Sequence, residues 1–208
     1  MDKYSLFIKK LKSKEESFEF LFDLIKEKQS IKDIHFDFFI PAMKDLTRWR
    51  DSNDISKWEE KLKVSNLKAL VEYSYYYILN QKHGTVNKKV LIALPEGEYD
   101  EIGALIANNI FKLSGFNTIY AGFDLKNSEI MQLLDKFEPG YFTIGLRNYY
   151  NSIETYNLFN DIKSKYKSIK LIVGGPVFNK KSVENKIKYD YFIRNYDEIF
   201  NIAKEVKL

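Results

Sequence analysis

Residues 89–103 read Lys-Val-Leu-Ile-Ala-Leu-Pro-Glu-Gly-Glu-Tyr-Asp-Glu-Ile-Gly, and two different periodicities meet inside them. Val90 to Leu94 is an unbroken apolar run that stops at Pro95, too short for a helix and apolar on every residue, as a strand buried on both faces requires. The polar segment after it contains Gly97 and reads as a loop. From about Glu101 to Ser114 the apolar residues return at helical spacing. Working outward, short apolar runs recur at Thr118 to Ala121, Tyr141 to Leu146, Leu171 to Val173 and Tyr191 to Ile193. Helical segments fall between and after them, near Ser128 to Phe137, Ile153 to Tyr166, Lys181 to Ile187 and Asp197 to Val206. Strands alternating with helices in this way imply an α/β domain with a five-stranded parallel sheet covered on both faces. Such a sheet binds its ligands beyond the carboxyl ends of the strands, near the point where strand order reverses. The loops at Pro95 to Gly103, Gly145 to Tyr150 and Gly174 to Asn179 are therefore where chemistry is expected.

Upstream the pattern is helical throughout. Ser13-Lys14-Glu15-Glu16 is a capping-box pattern, followed by Phe18, Leu21, Phe22 and Ile25 on one helical face. Ile31, Ile34, Phe38, Ala42 and Leu46 form a second such stripe, in which Pro41 removes an amide donor and is expected to bend the helix. Ser56-Lys57-Trp58-Glu59 repeats the capping pattern ahead of Leu62, Asn66, Ala69, Leu70, Tyr73 and Tyr77. With Tyr4 to Leu11 this makes four amphipathic helices, which hide their apolar stripes by forming a bundle. The polar, aperiodic stretch Asn80 to Lys88 contains Gly84 and serves as the linker. The expected division is a four-helix bundle over 1–82 and a Rossmann-like, flavodoxin-like domain over 88–208.

Composition narrows the function classes. In 208 residues, 45% are hydrophobic, enough for packed cores. No apolar run is long enough to span a bilayer, and the charged start lacks a cleavage site, so no membrane insertion is expected. The absence of Cys excludes disulfides, thiolate metal sites and a cysteine nucleophile, and makes the cytoplasm the expected location. The net charge of +4 is spread along the chain rather than gathered in a stripe, so direct nucleic-acid binding is not expected. His35 and His83 are the two histidines, neither has partners at metal-ligand spacing, and no Ser-His-Asp set can be assembled. The first loop lacks GxGxxG, since five residues separate Gly97 from Gly103, and the third strand ends Gly145-Leu146-Arg147 without an acceptor Asp. Ordinary dinucleotide-binding, P-loop and receiver domains are thereby disfavoured.

What the loops do contain resembles the cobalamin-binding family that includes methionine synthase, corrinoid methyltransfer proteins and light-sensing cobalamin-dependent repressors. Its pattern of acid, any residue, His, two residues, Gly is matched in form by Glu98-Tyr99-Asp100-Glu101-Ile102-Gly103. Ala104 through Gly115 to Gly122 resembles the helix, Gly turn and second strand that follow, and Ile172-Val173-Gly174-Gly175-Pro176 resembles the family's Gly-Gly turn. In the bundle, Trp49 followed by nine residues and then Glu59-Glu60 is similar to the Trp and Glu-His of the family's helical cap, with Ile40-Pro41-Ala42-Met43 as the preceding Pro-containing helix. The light-sensing repressors and stand-alone cobalamin-binding regulators are the relatives this arrangement is most similar to, without their DNA-binding winged helix.

The resemblance implies a corrinoid between cap and α/β domain, touched by Trp49, Glu59, Glu60, Glu98, Asp100, Gly103, Gly145, Gly174 and Gly175. Three polar contacts of the family are altered: the His below cobalt falls on Asp100, the His above it on Glu60, and the Ser or Thr near the end of the third strand on Gly145. The implied function is a regulatory or sensory module that takes cobalamin or a related tetrapyrrole without an axial His. It is not an enzyme, because methyl transfer in the family relies on the lower His; a transcription regulator or other protein is the implied partner. The alternative is a cofactor-free protein-interaction domain on the same fold. Residue chemistry alone offers plainer roles. Asp100 in a first helical turn is suited to capping, Glu59-Glu60 to a solvated helix start, Trp49 to bundle packing and Gly174-Gly175 to a tight turn.

Overall fold

A computed structural model of the chain describes residues 2–81, 85–180, 183 and 186–207. They form two compact units, Met1–Lys82 and His83–Leu208.

The first unit is helical. α1 (Lys3–Lys10) starts where Asp2 accepts the Ser5 N–H, and α2 (Lys14–Lys26) starts where Ser13 accepts that of Glu16. α3 (Ile31–Ile34) runs through a wider turn at His35–Phe39 into α4 (Ile40–Ser52). In that turn the Ile40 N–H reaches back to the His35 carbonyl, five residues away. The expected proline bend thus takes the form of a π-type turn immediately before Pro41, which absorbs the missing donor without ending the helix. α4 stops at Asn53, whose φ of 59° closes the end. α5 (Lys57–Leu79) carries no capping bond from the Ser56 side chain, so that second capping box does not form. The core is aromatic: Phe7, Phe20 and Phe38 meet pairwise with centroids 5.4–5.6 Å apart. Asn66 donates its buried side-chain amide from α5 to the Leu11 carbonyl at the end of α1, at 2.9 Å, which satisfies both groups.

The second unit is an α/β domain. β1 (Lys89–Ile92), β2 (Asn117–Tyr120), β3 (Tyr141–Gly145), β4 (Lys170–Gly174) and β5 (Tyr191–Ile193) form one sheet in the order β2-β1-β3-β4-β5. Every pairing is parallel. The crossovers carry α6 (Ile102–Leu113), α7 (Asn127–Phe137) and α8 (Ser152–Lys165), and α9 (Glu198–Lys207) follows β5. Four of the residues 181–187, where a further helix is expected, lie outside the described residues. On one face Leu91, Phe142, Ile144, Leu171 and Val173 pack with Ile130 and Leu134 of α7 and with Leu158, Phe159 and Ile162 of α8. Alternation sends Tyr141, Thr143 and Gly145 to the opposite face. Tyr141 there meets Phe116, just beyond α6, at 5.6 Å. The order of the strands reverses between the neighbours β1 and β3, so the loops after these two strands flank the crevice where such sheets take ligands. Among the described residues no helix is long and apolar enough to cross a membrane.

Candidate functional site

The loop after β1 is fixed by a buried carboxylate. Glu98 accepts the backbone N–H of Arg147 at 3.1 and 3.2 Å, that of Asn148 at 2.8 Å and the Asn151 side-chain amide at 3.1 Å. All three donors stand on the loop after β3, so one side chain ties together the two loops of the crevice. Burial pushes the Glu98 carboxyl above its ordinary pKa range, against the three donors, which favour the charged form.

Two residues on, Asp100 forms an ion pair with Arg147, Oδ2 to Nε at 3.2 Å, both side chains being partly exposed. Asp100 lies one residue before the capping position of α6. α6 begins at Ile102, the capping position is Glu101, and its side chain makes no capping bond. Glu101 instead accepts the Tyr120 hydroxyl at 2.6 Å. Tyr196, between β5 and α9, donates its hydroxyl to the Gly103 carbonyl at 3.0 Å. Burial, and then the negative charge of Asp100, push the Tyr196 hydroxyl above its ordinary range.

The glycines divide by task. Gly175 has φ of 93°, and a Cβ there would stand 2.3 Å from the Leu146 carbonyl oxygen, so only glycine lets the β4 turn pass the β3 turn. Gly145 and Gly174 are register partners on adjacent strands. A Cβ on either would touch one atom, Leu94 Cδ2 at 3.6 Å or the Ile193 carbonyl at 3.8 Å. Together they make a floor free of side chains at the carboxyl edge of the central strands. Thr143, two residues earlier on the same face as Gly145, is buried, and among the described residues its hydroxyl has no hydrogen-bond partner, a state it shares with the hydroxyls of Thr118 and Thr155. A buried orphan hydroxyl costs free energy, so one on the same face as Gly145 suits a ligand that brings the partner.

In the helical unit, the three predicted residues sit in one charged cluster. Trp49, half-buried at the end of α4, has the Lys63 ammonium 5.7 Å from its ring centre. Lys63 pairs with Glu59 at 3.1 Å, and Lys12 pairs with the same carboxylate at 3.0 Å, holding its pKa below the usual range. Glu60 is buried against Arg50, Nη1 to Oε1 at 3.3 Å. Neither acid is the simple solvated helix start that its position suggests, because Glu59 meets Lys12 from the turn between α1 and α2 and Glu60 meets Arg50 from α4. His35 is fully buried in the same unit, its Nδ1 2.8 Å from the Ile31 carbonyl. Among the described residues no group of three or more acids and histidines is placed to hold a metal ion.

The structure therefore brings Glu98, Asp100, Gly103, Gly145, Gly174 and Gly175 to the carboxyl edge of one sheet, and Trp49, Glu59 and Glu60 to one cluster in the helices. It adds Arg147, Thr143 and Tyr196, which sequence reasoning missed. The signal for Arg147 was its place directly after the third strand in the switch-point loop; Thr143 and Tyr196 had none.

No family model matches the chain, and no curated protein matches it by sequence. Solved structures do. The monomethylamine corrinoid protein of Methanosarcina barkeri superposes with a TM-score of 0.79 at 15% identity, covering 98% of each chain. The fold is one that corrinoid proteins have. A cobalamin-binding protein of Desulfitobacterium hafniense follows, with a TM-score of 0.54 at 15% identity over 99% of this chain and 98% of the other. The methanol:cobalamin methyltransferase complex of Methanosarcina barkeri matches at 0.51 and 17% identity, over 96% of this chain and 77% of its own. The shared architecture includes the helical unit, since all three matches run across nearly the whole of this chain.

Proposed function

We propose that the chain is a regulatory or sensory module that binds a corrinoid, cobalamin or a related tetrapyrrole, and supplies no axial His to its cobalt. The observation that carries this reading is the Gly145–Gly174 floor with the orphan Thr143 hydroxyl beside it, at the ligand-binding edge of a fold shared with corrinoid proteins. Thr143, Gly145 and Gly174 suit a flat organic group that lies on backbone and brings a hydrogen-bonding atom. By the sequence resemblance Asp100 falls at the family's donor position, and a carboxylate paired with Arg147 is a poor substitute for imidazole. Cobalamin, if bound, would supply a cobalt centre able to exchange a ligand, while Thr143, Gly145 and Gly174 would hold part of the molecule.

The same residues favour binding over catalysis. Glu98 is occupied by three donors and Asp100 by Arg147, which leaves neither acid placed as a general base. On this reading the output goes to a protein partner, a transcription regulator being the implied kind, with no direct nucleic-acid contact.

The test is retention. Full-length protein is mixed with hydroxocobalamin or with cobinamide, which lacks the nucleotide tail, then desalted, and the corrinoid is measured by absorption. Cobalamin is expected to stay with the protein near one per chain and cobinamide to be held more weakly, with Gly174→Val reducing the difference. A colourless wild-type protein after desalting rejects the reading in favour of the cofactor-free interaction domain.

A further inference from the structure

Asp100 and Arg147 do more than replace a missing donor. They come from the loops after β1 and β3, the two strands that flank the switch point, and their charges meet 3.2 Å apart at the crevice edge. The backbone under the pair is held on both sides. Glu98, two residues before Asp100, takes the N–H of Arg147 itself, and Tyr196, whose hydroxyl feels the Asp100 charge, is tied to Gly103, three residues beyond. A positive and a negative group are thus fixed at one point, partly shielded from water, where charge acts on a ligand more strongly than in bulk solvent.

We propose that this matched pair sets the redox poise of a corrinoid held in the crevice, Arg147 being the residue that neutralises the carboxylate. The inference rests on the corrinoid reading above. Reduction adds one electron to the cobalt(II) corrinoid and gives cobalt(I), with a mediator-poised electrode as the electron source and no bond made to the protein. A net negative charge nearby stabilises the more positive oxidised state and lowers the potential; a net positive charge raises it. The intact pair adds no net charge of its own, so removal of each partner acts with opposite sign.

The experiment is potentiometric titration of the cobalt(II)/cobalt(I) couple in full-length protein loaded with hydroxocobalamin, followed by absorption. Arg147→Gln is expected to shift the potential negative and Asp100→Asn to shift it positive. The double variant Asp100→Asn, Arg147→Gln returns towards wild type, and Arg147→Lys, which keeps the charge, stays near it. Circular dichroism establishes which variants fold, and if Arg147→Gln does not, the positive shift of Asp100→Asn and the neutrality of Arg147→Lys decide the matter. Shifts of the same sign, or none, in protein that retains cobalamin overturn this assignment alone. Failure of the wild-type protein to retain cobalamin overturns the corrinoid reading and this inference with it.

Discussion

The Glu98 carboxylate receives the backbone N–H of Arg147 across 3.1 Å, a bond that joins residues forty-nine positions apart and fixes the mouth of the switch-point crevice. Neutral hydrogen bonds contribute about 1 kcal/mol net and those to charged groups about twice that. Glu98→Ala removes three such bonds and strands donors in a partly buried loop. We expect a loss of about 2–3 kcal/mol in urea unfolding of the full chain, and about half as much for Glu98→Gln, whose amide nitrogen cannot accept. Equal stability of Glu98→Ala and wild type would show that the two loops are held by other means.

Two glycines with similar backbone angles are expected to behave differently. Gly175 and Gly122 have φ of 93° and 99°, so both substitutions to Ala carry backbone strain of about 1 kcal/mol or more. A Cβ on Gly175 also collides with the Leu146 carbonyl at 2.3 Å, whereas nothing lies within 4 Å of one on Gly122. Gly175→Ala should therefore lower the denaturant midpoint much further than Gly122→Ala. A reversed order would refute the close approach of the two turns.

The strands were legible in the sequence because a doubly buried parallel strand writes itself as a continuous apolar run, and Val90 to Leu94 shows one ending at a proline. The bundle was legible for the matching reason, a stripe every three or four residues. Boundaries shifted by a residue or two where the apolar run outlasted the ladder: β1 ends at Ile92 although the run reaches Leu94. The site was legible only where backbone geometry demanded a residue type, as at Gly175. The partners of Asp100 and Glu98 were hidden because they depend on which loops the strand order brings together. Arg147 lies forty-seven residues from Asp100, and only the adjacency of β1 and β3 makes them neighbours.

Protonation of His35 provides a pH test of the helical unit. Burial, only partly offset by the Ile31 carbonyl, lowers its pKa from 6.5 to about 4. Because that carbonyl can only accept, Nδ1 carries the single proton of a neutral ring. A histidine whose folded pKa is depressed lends stability above its unfolded pKa, which is lost as pH falls from about 6.5 through 4. The loss approaches about 3 kcal/mol near pH 4. His35→Gln cannot gain this charge, so its stability between pH 7 and pH 4.5 should fall by about 2 kcal/mol less than that of wild type. Parallel pH profiles in urea would contradict the buried neutral ring.

Thr143→Val separates the cost of an empty site from the value of a filled one. The hydroxyl is buried without a partner, and valine has nearly the same shape with no polar atom to satisfy. In the ligand-free protein the substitution should raise stability by about 1 kcal/mol, the opposite of what removing a bonded hydroxyl does. If the hydroxyl serves a bound corrinoid, the same substitution should weaken cobalamin retention while leaving that of cobinamide unchanged, since cobinamide has no tail to meet it. The two readouts must move in opposite directions. A variant that is more stable yet holds cobalamin as tightly as wild type would leave the Gly145–Gly174 floor as packing geometry and remove Thr143 from the site.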